Sequence, residues 1–470
     1  MKKIQNLKWA LFQKITNAQL ATDYTGILIT YPPTFIWDTV THDNFIKEYI
    51  PMIFSKKFYS VYIHIPFCKK KCLFCKQYSL VGQDESMYSR YEEAIIREII
   101  LYSKFLKDKE IIHLYLGGGT PTLLNLAKIV KALKDYFITS SRFTIDVEAT
   151  LDSLTKDKLL NLKEAGITRL LIGIQSFDKK VLAQVDKDPQ DAVYFKDIIN
   201  FCKRIGIPYI NIELIAGLPH QTAKSFLNDI KTLINSRVDS LHYYPLLITP
   251  LTVLWKDKKK QHSVASSRSL TKMLLKAENM LKNSGFKREG FDFCRDIGAG
   301  NRMFDLTQAL RNYGGMLGLG ITSLSRYYHN DANGNNRVFH FMNTLSLDEY
   351  YCKINQSLFP VEKQYVLGDN EEVLRMCLMR RLGYGRLDFL RFFNDLKNMA
   401  GIELGLEKLK IIFAKELEFL KEVGKVEYDP NEGVIKLTGI PWAIYSKVFF
   451  SRKVLLECIR KMKHLKELSL

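Results

Sequence analysis

YSVYIHIPFCKKKCLFC, residues 59–75, begins as a strand and ends as three thiols. The run Tyr59–Pro66 alternates apolar and aromatic residues in the manner of a β-strand. Directly after it stand Cys68, Cys72 and Cys75, separated by three residues and then two. A loop that follows a strand can offer three such thiolates to one metal centre. A cubane iron–sulfur cluster normally has four ligand positions filled, so three cysteines leave one iron open to a small molecule. Free cysteine is often a small core hydrophobe. That bland reading does not explain a lysine-rich loop with this fixed spacing.

The C-x3-C-x2-C triad, with Phe74 before the third cysteine, resembles the cluster loop of radical S-adenosylmethionine enzymes. The preceding Tyr62, Ile63, His64, Ile65, Pro66 and Phe67 narrow the resemblance to oxygen-independent coproporphyrinogen III oxidase and its relatives. The resemblance implies a 4Fe–4S cluster on Cys68, Cys72 and Cys75. Its open iron would chelate the amino and carboxylate groups of S-adenosylmethionine, and an electron would cleave the sulfonium to a 5′-deoxyadenosyl radical. His64 belongs to the motif and is expected to orient the loop rather than bind metal.

The chain has 470 residues, long enough for two or more domains and a large core. Its 47% hydrophobic and 25% charged content are those of a soluble globular protein. No run of apolar residues is long enough to span a membrane. The N-terminal stretch reads as an amphipathic helix rather than a signal peptide. Outside the triad the cysteines are scattered, which suits a reducing cytoplasm and an oxygen-sensitive cluster. The net charge of +19 is spread along the chain and gives no strong nucleic-acid signal, though it is compatible with a basic cavity for a polycarboxylate.

From Tyr59 to about Ile248, strand-like and helix-like segments alternate. The strand candidates are Tyr59–Pro66, Ile111–Leu116, Phe143–Ala149, Arg169–Gln175, Tyr209–Ile215 and Ser240–Leu247. Six βα units in sequence require crossover connections and hence a parallel sheet with helices outside it. The expected fold is α/β, a partial (β/α)6 barrel of parallel strands with a mostly helical C-terminal domain. The expected division is an N-terminal arm (1–58), a radical S-adenosylmethionine core (59–250), a linker (251–269) and an oxidase-like C-terminal domain (270–470). Ligands should gather at the carboxyl ends of the strands.

Those strand ends carry the remaining candidates. Gly117, Gly118 and Gly119 precede Thr120, Pro121 and Thr122; consecutive glycines leave no Cβ to block a ligand. The resemblance implies that Gly118 and Thr120 meet the amino and carboxylate end of S-adenosylmethionine. Glu148 ends the third strand and can accept hydrogen bonds from an amine or ribose hydroxyls. Gln175 stands where the apolar fourth strand opens into a loop, and in the family its counterpart faces the cofactor. Glu213 precedes a GLP-x-QT turn in which Thr222 can cap the next helix. The family usually has aspartate at Glu213 and commonly arginine at Lys187, so charge is kept while reach and the bidentate fork change. Leu317–Ser323 resembles the family's LGLG-x-x-S segment.

One departure bears on the substrate. The decarboxylating oxidase carries a fourth cysteine two positions after its third, where this chain has Lys76, Gln77 and Tyr78. Tyr62 remains, and its counterpart in the oxidase lies near the substrate. The leading expectation is therefore a radical S-adenosylmethionine oxidoreductase acting on a tetrapyrrole or similar acceptor, with Tyr62 and Gln175 closest to the chemistry. Phe74, Gly118, Thr120, Glu148, Gln175, Lys187 and Glu213 are the expected cofactor contacts. The expected electron source is a reductant protein such as flavodoxin. The alternatives are a heme chaperone, a carrier with a cluster but no turnover, and a methylase or cyclopropanase of a natural product.

Overall fold

The computed structural model describes residues 10–18, 31–54, 58–289, 292–295, 315–330, 336–382, 386–397, 402–422, 426–429, 434–437 and 447–467. The six parallel strands at the centre are β1 (Phe58–Ile65), β2 (Glu110–Gly118), β3 (Ile138–Ala149), β4 (Arg169–Gln175), β5 (Tyr209–Ala216) and β6 (Ser240–Pro245). They lie side by side in chain order and pair in parallel throughout. Helices α1 (Glu85–Ser103), α2 (Leu126–Tyr136), α3 (Lys156–Ala165), α4 (Lys179–Gln184), α5 (Ala192–Arg204) and α6 (Ala223–Ile234) are the crossovers. Asp84 caps α1 from its side chain and Gly166 ends α3 in the left-handed conformation. Thr222 caps α6, as its place at the end of the GLP-x-QT turn predicts.

Each strand has two different faces. Val61, Ile63 and Ile65 of β1, Leu114 and Leu116 of β2, and Ile145 and Val147 of β3 are buried in one hydrophobic cluster. Ile95 and Ile99 of α1, Ile129 and Leu133 of α2, and Phe226 and Ile230 of α6 belong to the same cluster. Burying each such side chain contributes about 1.5–3 kcal/mol, so this helix-covered face dominates the stability. The alternate residues, among them Tyr62, Tyr115, Asp146, Arg169, Glu213 and His242, are polar and share the opposite face. That face is concave. Arg169 on β4 comes within 3.9 Å of Asp292, which lies three strands further along the sheet. In a flat sheet strands repeat about every 4.8 Å, so such a contact requires the sheet to curl.

The curled sheet is larger than six strands. At the β6 edge it continues into an antiparallel hairpin of β7 (Phe286–Glu289) and β8 (Asp292–Arg295). At the β1 edge it continues into parallel β9 (Gly315–Leu319), then antiparallel β10 (Leu324–Asn330), β11 (Asn336–Asn343) and β12 (Val361–Leu367). A two-residue strand, Asp38–Thr39, closes that edge and makes 13 strands in all. The C-terminal residues are thus helical in part and also supply both flanks of the sheet. Helices between Asn370 and Glu467 build a second hydrophobic cluster with Trp37, Tyr328 and Met342. A small sheet of Arg386–Asp388, Val434–Leu437 and Val426–Asp429 sits among them.

α1 is fastened to the β1 flank by one buried carboxylate. Glu98 accepts bonds from Gly320 N (2.8 Å), Tyr350 Oη (2.7 Å) and Asn343 Nδ2 (2.9 Å). Burial pushes its carboxyl up to about 7, against the pull of these three donors. A raised carboxyl binds its proton more tightly in the folded chain, so the stability it adds is full below the unfolded value of 4.5 and is lost as pH rises through about 7. Measured against Glu98→Gln, the wild type should lose on the order of 3 kcal/mol between pH 4.5 and 7.5. Urea unfolding of both proteins across that range checks it; parallel pH curves would refute the assignment.

Candidate functional site

The cysteine loop leaves β1 at Pro66 and returns through the two-residue strand Leu80–Val81, which pairs with Phe67–Cys68. The loop is clipped at its middle. Leu73 N donates to Val185 O at 2.9 Å, and Leu73 O accepts from Leu254 N at 2.9 Å. Lys70 adds exposed, solvent-screened ion pairs to Asp186 (2.6 Å) and Asp188 (3.7 Å). Lys71 Nζ donates to Gln77 O at 2.5 Å and Ser79 Oγ at 2.8 Å. These bonds hold the segment that follows the third cysteine.

Gly119 N donates to Ile65 O and Thr120 N to Phe67 O, both at 2.7 Å, which presses the glycine turn onto the base of the cysteine loop. A Cβ at Gly119 would lie 2.5 Å from Phe67 O and 3.0 Å from Cys68 Sγ. Thr120 Oγ1 is 3.7 Å from Cys68 Sγ. Burial pushes the Cys68 thiol up to about 11, with the Thr120 hydroxyl pulling the other way. Burial also raises Cys72, opposed by the charge of buried Lys187.

Glu148 is held from two sides. It accepts from Gly118 N at 3.0 Å and from the Tyr115 hydroxyl. Tyr62 stacks on Tyr115 with ring centroids 5.8 Å apart. The Tyr62 hydroxyl lies 3.0 Å from His64 Nδ1, while His64 Nε2 lies 3.2 Å from Tyr78 O. Burial lowers His64 to about 4, so it is a neutral ring. A neutral ring with a carbonyl at Nε2 donates there and accepts from Tyr62 at Nδ1. His64 thus ties β1 to the far end of the cysteine loop, the orienting role expected of it.

Gln175 follows an irregularity in the β4–β5 pairing and has a left-handed backbone with φ 68°. Asp229 on α6 fixes the turn beyond it, accepting from Ser176 Oγ (2.7 Å) and Phe177 N (2.9 Å). Gln175 Oε1 is buried without a hydrogen-bond partner. A buried acceptor left open costs about 1–3 kcal/mol. Phe74 packs against Val181, Val185, Ile215 and Leu218 beside Tyr244. Glu213 accepts from the Tyr244 hydroxyl at 3.3 Å, and burial raises its carboxyl, opposed by its neighbours His242 and Tyr244. Gln221 of the GLP-x-QT turn is structural: it accepts from Gly217 N at 2.6 Å and donates to Ile215 O at 3.2 Å.

The structure therefore groups Gly118 with Glu148, Thr120 with Cys68, Lys187 with Cys72, and Glu213 with Tyr244. Tyr62 joins the Glu148 group through Tyr115. Gln175 stands at the β4 end with its carbonyl open. Tyr115, Tyr244, His242, Asp292 and Arg169 are concave-face residues that the strand-end reading passed over. Their signal was present: a parallel strand sheathed in helices is ordinarily apolar on both faces, and polar residues at alternate positions break that rule.

Residues 62–233 match the Radical SAM superfamily. The oxygen-independent coproporphyrinogen III oxidase of Escherichia coli strain K12 is 28% identical over 338 residues, 68% of this chain and 72% of that protein. The heme chaperone HemW of Buchnera aphidicola subsp. Acyrthosiphon pisum is 30% identical over 232 residues, 49% of this chain and 60% of its own. The solved structure of coproporphyrinogen III oxidase from Escherichia coli superposes with a TM-score of 0.70 at 23% identity, covering 92% of this chain and 96% of that one. At that identity the superposition speaks for the fold. The protein carries a radical S-adenosylmethionine domain, whose class in general uses a 4Fe–4S cluster and S-adenosylmethionine. Over much of its length the chain is similar to oxygen-independent coproporphyrinogen III oxidases.

The donor set suits such a cluster. Among the described residues no three His, Cys, Asp or Glu converge on a single metal ion. A cubane takes one thiolate per iron and so spreads its ligands around a volume rather than a point. Half-buried thiols raised by desolvation ionise when a cationic centre takes them. The open Gln175 carbonyl, on the same rim, suits a ligand beside that centre.

Proposed function

We propose that this protein is a radical S-adenosylmethionine enzyme acting on a tetrapyrrole or related conjugated substrate, with Cys68, Cys72 and Cys75 as ligands of a 4Fe–4S cluster. The supporting observation is the seating of Cys68 against a glycine turn that leaves no room for a side chain at position 119. When bound, the cluster supplies the electron that splits the S-adenosylmethionine sulfonium to a 5′-deoxyadenosyl radical.

The chain's residues do the positioning. Gln175 Oε1 is an acceptor for a ligand amine or hydroxyl, ready without the loss of an internal bond. Lys187 places a buried cation by Cys72, where a ligand carboxylate would be neutralised. Glu148, immobilised by Gly118 and Tyr115, presents a carboxylate of fixed orientation, and Phe74 packs the loop against the ends of β5 and β6. Tyr62 is aimed by His64 into the concave face. A reductant protein such as flavodoxin, in a reducing cytoplasm, would deliver the electron.

The test is anaerobic reconstitution followed by incubation with dithionite, S-adenosylmethionine and coproporphyrinogen III. About four irons per chain and a reducible band near 400 nm are expected, with 5′-deoxyadenosine as product. Mass spectrometry then shows whether coproporphyrinogen III loses two carboxyl groups or is left intact, which decides between that substrate and a relative. The 30% identity to a heme chaperone favours one second reading. Stoichiometric heme binding with no 5′-deoxyadenosine under any condition would establish that reading and refute the enzyme.

A further inference from the structure

The concave face below the strand ends holds a chain of charged and ionisable side chains contributed by five strands. His113 Nε2 on β2 is 3.4 Å from Asp146 Oδ2 on β3, which is 3.5 Å from Arg169 Nη1 on β4. Arg169 Nη2 is 3.9 Å from Asp292 Oδ2 on β8, and Asp292 Oδ1 is 3.4 Å from His242 Nδ1 on β6. The last contact is dictated by register, because His242 and Asp292 are directly paired across the antiparallel β6–β8 ladder. Directly paired residues project from the same face with Cβ atoms about 5 Å apart.

The two ends of this chain differ. His113 is 1% exposed, whereas His242 keeps 19% of its side chain open. Asp292 is almost fully buried and also accepts from Asn211 Nδ2 at 3.1 Å. Burial pushes its carboxyl up, but the His242 contact, Arg169 and Asn211 outweigh that and hold it below the usual range. Asp292 is therefore an ionised acceptor. Among the described residues, the groups facing His242 include Asp292 from β8, Glu213 from β5, and Tyr244 on its own strand, whose ring lies 4.8 Å away. Arg169 from β4 lies against the other oxygen of Asp292, 3.9 Å away.

An ionised, buried carboxylate at Nδ1 fixes one tautomer. It takes the Nδ1–H as a donor and leaves Nε2 with the lone pair. We propose that His242 is a proton-accepting group of the concave face, with Asp292 as the positioning residue that keeps its Nε2 basic. The step is a plain proton transfer. A proton on substrate nitrogen, oxygen or activated carbon passes to Nε2, the bonding pair stays on the substrate, and the imidazolium formed is stabilised by Asp292. Such a group serves a substrate that becomes acidic once it has lost a hydrogen atom. This rests on the proposed function only in assuming that the substrate sits over the concave face.

The full-length protein labelled with 15N-histidine, with His242→Gln to identify the signal, gives the first readout at about pH 8. The wild type should show His242 protonated at Nδ1, and Asp292→Asn should move the proton to Nε2. An Nε2–H signal in the wild type overturns the proposal, even if the variants do not fold. So does a tautomer unmoved in Asp292→Asn. In the reconstituted enzyme, kcat for substrate should fall on the order of a hundredfold in His242→Gln with little change in KM. Turnover within a factor of about two of wild type would overturn it. Absence of S-adenosylmethionine cleavage in the wild type counts against the proposed function instead, and the tautomer still decides the role of His242.

Discussion

Gly119→Ala is expected to yield a folded protein that cannot hold its iron. The added Cβ would meet Phe67 O at 2.5 Å and Cys68 Sγ at 3.0 Å, and the first of these is backbone. Real Cβ atoms do not tolerate such a contact, and no rotamer change relieves it. Because Thr120 N and Gly119 N are both bonded to the base of the cysteine loop, the strain passes directly into Cys68. Overpacking of this kind costs about 1–3 kcal/mol, small against a domain this size and large against the placement of one ligand. Iron per chain after anaerobic reconstitution should fall well below half of wild type, with only a modest drop in melting temperature. Gly368→Ala is the control, since a Cβ there meets nothing within 4 Å. Wild-type iron in Gly119→Ala would show that the turn does not frame the cluster.

Cys72→Ala should abolish both iron binding and 5′-deoxyadenosine formation. Cys72 is half-buried in the loop beside Lys187, and a cubane held by two thiolates has two irons without protein ligands. Cleavage then has no source of electrons at the site, so the loss should reach the background of the assay. Cys352, exposed on the helix Leu347–Asn355, is the matched control, and Cys352→Ala should keep full iron. Iron measured by chelation and cleavage measured by chromatography are separate readouts. A variant that lost cleavage but kept its iron would remove Cys72 from the ligand set.

Much of this was legible in the residues. The six strands appear within a few residues of the expected bounds because period-2 alternation and glycine-rich ends are local signals. The flanks were not legible. β9 pairs with β1 across more than two hundred residues, and a five-residue strand such as Gly315–Leu319 carries no local mark of its partner. Among site residues, Gly118, Thr120, Glu148 and Gln175 announced themselves by lying at strand ends. Tyr115 and Tyr244 did not, because an aromatic residue inside a strand reads as packing until a carboxylate is found beneath its hydroxyl. The positive φ of Gln175 and its open carbonyl are properties of the turn that Asp229 builds, and no stretch of sequence near Gln175 contains Asp229.

The clip on Leu73 has a consequence for how the protein is made. The backbone of the loop between Cys72 and Cys75 takes its two outside bonds from Val185 and Leu254. Its parent strand gains its second neighbour only when Gly315–Leu319 arrives. A chain emerging from the ribosome therefore exposes all three thiols long before the loop that shapes them can set. Metal offered during that interval would meet a loop whose bonds to Val185 and Leu254 have not yet formed.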